Sequence, residues 1–134
     1  MRDPWKQLER MEPDVEYLVM ASSLPARDYA ATPALFRGAS ATKRQLRDAE
    51  GLVGFSMLAR PARKQYGSLS VWRDEASLGA FARTTPHGQL MRDLAPRMGQ
   101  TTFVRWTITG SQGRPSWREA WGRLESASQG SRPM

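Results

Sequence analysis

Four short segments of the chain have the apolar patterns that β-strands require. Residues 16–23 and 52–59 are apolar on both faces, residues 65–72 alternate in character, and residues 101–108 are rich in β-branched and aromatic side chains. Proline, glycine or charged residues flank these segments. The pattern therefore predicts four strands, and the second and third form a hairpin because only a short basic turn separates them.

Helical periodicity fills the gaps between these strands. Thr32 stands before a proline, as an N-cap does, and apolar residues then recur at helical spacing until Gly51 ends the pattern. Asp74 is placed to cap a second helix, and a further cap-then-proline pair begins a helical segment over residues 85–97. The sequence therefore predicts one helix after the first strand and a broken or paired helix after the third.

The predicted order β-α-β-β-α-β is the ferredoxin-like α+β arrangement, in which an antiparallel sheet carries both helices on one face. Because the strands are apolar on both sides, the other face of the sheet must also be covered. We therefore expect two copies to pair face to face as a homodimeric α/β barrel. An apolar pocket is expected between the sheet and the helices.

The predicted barrel domain occupies residues 15–110. Residues 1–14 show neither helical nor strand periodicity and are interpreted as a surface arm. Residues 111–134 form a tail in which 116–124 predict a short amphipathic helix, with Trp117, Trp121 and Leu124 on one side.

Composition limits the classes of partner and of chemistry. The 134 residues include no cysteine, so disulfides and thiolate chemistry are excluded, and a single histidine cannot build a His cluster for a metal. No apolar run is long enough to span a bilayer and no secretory signal is evident, which predicts a cytoplasmic protein without a membrane partner. The net charge of +7 is spread along the chain, so nucleic acid is an unlikely partner.

His87 is the first candidate for chemistry. On the helical segment that starts near residue 86 it aligns with apolar residues at i+3, i+4 and i+7, so its imidazole faces the sheet. Such a side chain needs a hydrogen-bond partner, a metal or a catalytic use. Trp72, at the end of the third strand, and Phe81, on the next helix, are expected to converge with it on one cavity. A purely structural histidine is the alternative.

These residues also carry a family resemblance. The run from Ser70 through Trp72 to Phe81, followed by Pro86 and His87 and later by residues 103–106, resembles the antibiotic-biosynthesis-monooxygenase-like group of dimeric α/β barrel proteins. The interval from Trp72 to His87 is most similar to that of the spheroidene monooxygenase branch. The resemblance covers roughly residues 15 to 109.

The resemblance implies a monooxygenase-like oxidoreductase that acts on a small apolar or polycyclic substrate. In one scheme that it implies, His87 ligates the iron of a bound haem, and Phe81 belongs to the same pocket. Three cations of the basic turn would meet the haem propionates: Arg60, Arg63 and Lys64. Haem-degrading relatives use an asparagine on the first strand, and this chain contains none.

The second scheme uses no cofactor. His87 would act as a base that forms a substrate carbanion or phenolate, and Trp72 would wall a dry pocket around it. Two alternatives to an enzyme stay open at this point. One is a non-catalytic domain that binds a small ligand in the same cavity, and the other is an auxiliary subunit of a biosynthetic complex that docks through its Trp117 and Trp121 tail.

Overall fold

The computed structural model describes residues 5–83, 92, 99 and 101–130. All statements about the fold concern these residues. Among the helices that they form, none has the length together with the apolar character that crossing a bilayer demands. The helices and strands are, in chain order, β1 (Lys6–Gln7), β2 (Glu16–Ser23), α1 (Thr32–Arg47), β3 (Leu52–Arg60), β4 (Gln65–Trp72), α2 (Glu75–Arg83), β5 (Thr102–Thr109) and α3 (Trp117–Gly130).

The strands form one antiparallel sheet in the order β1-β3-β4-β2-β5. This confirms the predicted α+β, ferredoxin-like fold and the hairpin of β3 and β4. The sheet also has a strand that the sequence pattern did not predict. Lys6 pairs with Phe55 and Gln7 with Gly54, so the N-terminal arm adds an edge strand. Two residues are too few to show strand periodicity, which is why the arm was interpreted as surface alone.

Helices α1 and α2 cover one face of the sheet, as predicted. The buried side chains there come from both helices and from the strands beneath them. Alternation along β4 brings Trp72 and Ser70 to this face, whereas Leu69 and Val71 point to the other. The core of this helix face consists of Leu46, Leu52, Phe55, Trp72 and Leu78.

The chain itself covers the second face of the sheet, over which α3 packs against β2 and β5. Trp117, Ala120 and Leu124 are buried there, as the predicted amphipathic pattern requires. The indole Nε1 of Trp117 donates to Ser56 Oγ at 3.1 Å. Trp5 and Met11 of the arm pack against the same cluster. We call this surface the α3 face.

Two sequence predictions change because of the α3 face. We expected a second copy of the chain to cover this face, but in the described residues α3 and the arm already bury much of it. We also considered Trp117 and Trp121 as docking side chains on a free tail. Instead Trp117 is 6% exposed and belongs to the core, and Trp121, which is partly buried, packs 5.7 Å from it, ring centroid to ring centroid.

Candidate functional site

Trp72 is buried at the end of β4 rather than exposed to a cavity. Its side chain is 1% exposed, and its indole Nε1 donates to Ser70 Oγ at 2.9 Å. Trp72 pairs with Leu52 of β3 and with Leu18 of β2. The space between sheet and helices at this position, where we expected the pocket, is therefore filled by the core of the helix face.

Phe81 joins this core to an open groove. Its ring centroid lies 5.4 Å from that of Trp72, and the ring is partly buried. The groove, which we call the α1–α2 groove, has a volume of about 850 Å³. Ligand pockets typically measure roughly 300 to 1,000 Å³. Its lining residues are Ala41, Arg44, Gln45, Asp48, Ala49, Glu50, Asp74, Ala76, Ser77, Ala80 and Phe81.

Helical spacing explains this set of residues. Positions 41, 44, 45, 48 and 49 lie on one side of α1 and its C-terminal turn, and positions 77, 80 and 81 on one side of α2. Four of the lining side chains are alanines, which leave room between the helices. The Gln45 amide crosses the gap and donates to the Phe81 carbonyl oxygen at 3.4 Å.

Gly51 lets the two sides of the groove approach each other. It adopts a φ of +84°, a left-handed conformation suited to glycine, but it lies in the turn before β3 and not at the C′ position that we expected, because α1 already ends at Arg47. A Cβ at this position would overlap the Ser77 side chain of α2. The Gly51 carbonyl oxygen also accepts a hydrogen bond from the Arg73 backbone N–H at 2.8 Å. The turn after α1 is therefore fixed against the start of α2.

Asp74 caps α2 at the mouth of the groove. Its Oδ1 accepts a hydrogen bond from the Ser77 backbone N–H at 2.8 Å, as the N-cap prediction requires. This hydrogen bond and a second one from the Ser77 side chain favour the carboxylate form, so they hold the pKa of Asp74 below its ordinary value. Asp74 is therefore a carboxylate at neutral pH.

The basic turn lies at the opposite end of the β3–β4 hairpin. Trp72 pairs with Leu52, and Arg60 stands at the other end of β3, eight residues further along. At about 3.3 Å per residue, roughly 26 Å of strand separate these ends. Lys64 Nζ instead lies 5.2 Å from the ring centroid of Tyr29, and the Arg63 side chain is exposed. The structure does not bring these cations together with Trp72 and Phe81.

The described residues do not fit the predicted haem site. The indole N–H of Trp72 is already bonded, and the three expected propionate partners lie at the far end of the hairpin. The charges that do line the α1–α2 groove are mostly carboxylates. Within the described residues, no group of three or more His, Cys, Asp or Glu side chains could hold a metal ion. His87 lies outside the described residues, so its role as haem ligand or base stays a prediction.

Sequence reasoning missed most of the groove. We interpreted Asp48 and Glu50 as a solvated helix end, and both are indeed exposed, but they also form one wall of the groove. Arg44, Gln45 and Ser77 were not candidates at all. The available signal was the recurrence of small and polar residues at helical spacing along α1 and α2, which becomes informative only when the two helices are known to lie side by side.

Comparison with known proteins extends these observations. No family model matches the chain, and no curated protein is significantly similar to it in sequence. Solved structures are similar in fold. A candidate monooxygenase from Fusobacterium nucleatum superposes with a TM-score of 0.66 at 8% identity, covering 75% of this chain and 46% of that chain. This chain thus spans about half the length of that protein.

Two smaller proteins match over nearly their whole length. A candidate antibiotic biosynthesis monooxygenase from Nitrosomonas europaea has a TM-score of 0.59 at 14% identity, with 66% of this chain and 95% of that chain covered. A dimeric ferredoxin-like protein of unknown function from Thermobifida fusca has a TM-score of 0.61 at 10% identity, with 75% and 99% covered. The chain therefore has the ferredoxin-like fold of the antibiotic biosynthesis monooxygenase-like proteins, and the neighbours do not single out the spheroidene monooxygenase branch.

Proposed function

We propose that this chain is a monooxygenase-like oxidoreductase that binds a small apolar or polycyclic molecule in the α1–α2 groove. The observation that carries the proposal is the groove itself. It has the volume of a ligand site, a wall made of alanines and the Phe81 ring, and polar groups around that wall. Structural neighbours described as monooxygenases share the fold, which supports the choice of reaction class.

The chemistry that suits such a site requires a substrate with an activated CH₂ group. A base removes one proton from this CH₂ group. The aromatic rings of the substrate stabilise the resulting carbanion, which reacts with molecular oxygen. One oxygen atom is retained as a carbonyl and the other leaves as water, so the substrate supplies all four electrons. His87 is the predicted base, and the Phe81 ring would hold the flat substrate.

A partner subunit is a further part of the proposal, and haem stays only an alternative to the cofactor-free scheme because the described residues do not fit it. A haem ligated by His87 would need propionate partners other than Arg60, Arg63 and Lys64. A homodimer is supported by the neighbour from Thermobifida fusca, which is described as dimeric. Because α3 occupies much of the sheet face that we expected two copies to share, a second copy would bind mainly outside the area that α3 covers.

The test uses anthrone, a neutral tricyclic ketone with an activated CH₂ group. We expect anthrone to bind the full chain and to cause oxygen uptake at an oxygen electrode. Phe81→Ala should weaken binding by about tenfold, because it removes the aromatic wall of the groove. Phe103→Ala is the matched control, since Phe103 is half exposed on β5 and does not line the groove. Circular dichroism shows whether the Phe81→Ala variant is folded. Phe81→Leu keeps a large apolar side chain but removes the ring, so it separates an effect on binding from an effect on folding.

Four results would decide between the alternatives. Absence of both anthrone binding and oxygen uptake would contradict the proposal. Oxygen uptake that His87→Ala abolishes would support His87 as the base, whereas a Soret band on haem titration that the same variant loses would support haem ligation. Binding without any oxygen uptake would favour a non-catalytic ligand-binding domain. This domain is the second candidate because the charged side chains that line the groove are exposed to solvent.

A further inference from the structure

The charges around the α1–α2 groove oppose the charge of the whole molecule. The chain carries a net charge of +7. The groove is lined by three carboxylates and one guanidinium, namely Asp48, Glu50, Asp74 and Arg44, so its lining carries a formal charge of −2. A diffusing molecule therefore meets a positive protein with a locally negative site.

Neighbouring cations do not cancel this negative wall. Arg73, next to Asp74 in the chain, donates from its Nε to Glu9 Oε2 at 2.8 Å. Arg105 pairs with Glu75, on the first turn of α2, at 2.8 Å. Among the described residues, no ion pair connects Arg44 to Asp48 although they stand at the i, i+4 spacing that often forms one. Asp48, Glu50 and Asp74 thus form no ion pair in the described residues, although the charge of Arg73 also lowers the pKa of Asp74.

Apolar and ionic features coincide in one cavity. Phe81 and the alanines supply a surface for an aromatic ring, and the carboxylates line the same volume. From this arrangement we infer that the groove selects aromatic molecules that bear an amine and rejects those that bear a carboxylate. The inference rests on the proposed function and adds the substrate class. It also accounts for the poor fit of haem, whose two propionates are anionic.

Three anthracene probes of nearly equal size test the inference, bearing an aminomethyl, a hydroxymethyl or a carboxylate group. At low ionic strength the aminomethyl probe should bind the full chain about fivefold more tightly than the hydroxymethyl probe, and the carboxylate probe more weakly than both. The net charge of the protein predicts the reverse order, so the ranking identifies the local field. High salt should bring the three affinities together because it screens exposed charges.

Matched variants locate the effect. The double variant Asp48→Asn with Glu50→Gln should abolish the preference for the amine over the neutral probe, because it removes two of the three carboxylates that line the groove. Glu125→Gln removes one carboxylate from the exposed side of α3 and should leave the ranking as it is. Arg44→Gln should weaken the binding of the carboxylate probe further, because it removes the guanidinium that lines the groove.

The outcomes separate this inference from the proposed function. If the neutral probe binds in a Phe81-dependent manner and the three probes have equal affinity, the charge selectivity is overturned while the groove stands. Tighter binding of the carboxylate probe would overturn the selectivity as well. If none of the probes binds, the proposed site itself fails.

Discussion

The two faces of the sheet are both apolar, but they are covered in different ways. On the helix face, α1 and α2 lie over Trp72 and leave a groove of about 850 Å³ between them. On the α3 face, a single helix packs its large side chains directly on the strands. Both faces contain a buried indole whose N–H donates to a serine, Trp72 to Ser70 and Trp117 to Ser56. The faces therefore differ mainly in the open volume that their helices leave.

This difference suggests a division of labour between the faces. The α3 face contributes stability, because its cover belongs to the same chain and leaves Trp117 and Leu124 almost fully buried. It also contains the buried indole N–H groups of Trp106 and Trp121, which have no acceptor in the described structure. Each such group costs about 1 to 3 kcal/mol. The helix face contributes the binding volume. Perturbing one face should therefore leave the property of the other largely intact.

Removing residues 111–134 should have the largest effect. Without α3, Tyr17, Val19, Trp106 and Ile108 lose their cover, and each large buried side chain contributes about 2 kcal/mol. We expect the truncated chain to lose several kcal/mol of stability and to self-associate through the uncovered face. Size-exclusion chromatography with light scattering and urea unfolding measure both. If the truncated chain kept the oligomeric state and the unfolding midpoint of the full chain, α3 would not be a structural cover.

Trp117→Ala should be the next most damaging change. It removes a buried indole and the hydrogen bond that the indole donates to Ser56, at a cost of about 3 to 5 kcal/mol in the free energy of unfolding. Urea unfolding measures the loss. Anthrone affinity should not change at temperatures where the variant is folded, because the side chain lies on the α3 face. Loss of affinity in a fully folded variant would mean that the two faces are coupled.

Gly51→Ala perturbs the helix face. Its φ of +84° costs about 1 to 2 kcal/mol for a residue with a side chain, and the added Cβ meets Ser77. We expect lower stability and weaker anthrone binding together, because the turn after α1 shifts away from α2. Thermal unfolding and the anthrone titration provide the readout. Gly122→Ala on α3, where a Cβ meets open space, is the control: it should leave anthrone binding unchanged and raise stability by about 0.5 to 1 kcal/mol, because alanine favours a helix over glycine.

Asp74 gives the smallest effect and a pH dependence of known sign. Because the pKa of Asp74 is lower in the folded chain than its ordinary value of 3.8, its contribution to stability is present above that value and is lost as pH falls through the folded pKa. Asn caps a helix without titrating. The Tm advantage of the wild type over Asp74→Asn should be small and constant above about pH 5, and should shrink below pH 3.8. A difference that grows on acidification would contradict the cap.

The sequence was sufficient to predict four of the five strands and the two helices on one face of the sheet, but not what covers the other face. Strand and helix patterns predicted β2 to β5, α1 and the start of α2. Each of these elements has a local periodicity, and α2 also has a cap, Asp74. The same patterns placed Trp117 and Leu124 on one side of a tail helix, but they could not show where that helix packs. Trp72 and Phe81 are together, as expected, whereas the basic turn is at the other end of the hairpin.

The groove itself was beyond local reasoning for a physical reason. A cavity between two helices depends on their separation and on which small side chains face each other, and neither is encoded by periodicity in one helix. The position of the charged side chains in the groove could not be predicted for the same reason. Asp48 and Asp74 are 26 positions apart in the chain and line the same groove only because Gly51 and Ser77 bring the ends of α1 and α2 together.

The central claim is that ligands bind the α1–α2 groove and not the α3 face. Two-dimensional ¹H–¹⁵N correlation spectra of the full chain, recorded during titration with anthrone, test it most directly. We expect saturable chemical-shift changes at the amides of Gln45, Ala49, Ser77 and Phe81. The amide chemical shifts of Ala120 and Leu124 should not change. Shifts concentrated at Ala120 and Leu124, or an unchanged spectrum at saturating anthrone, would contradict it.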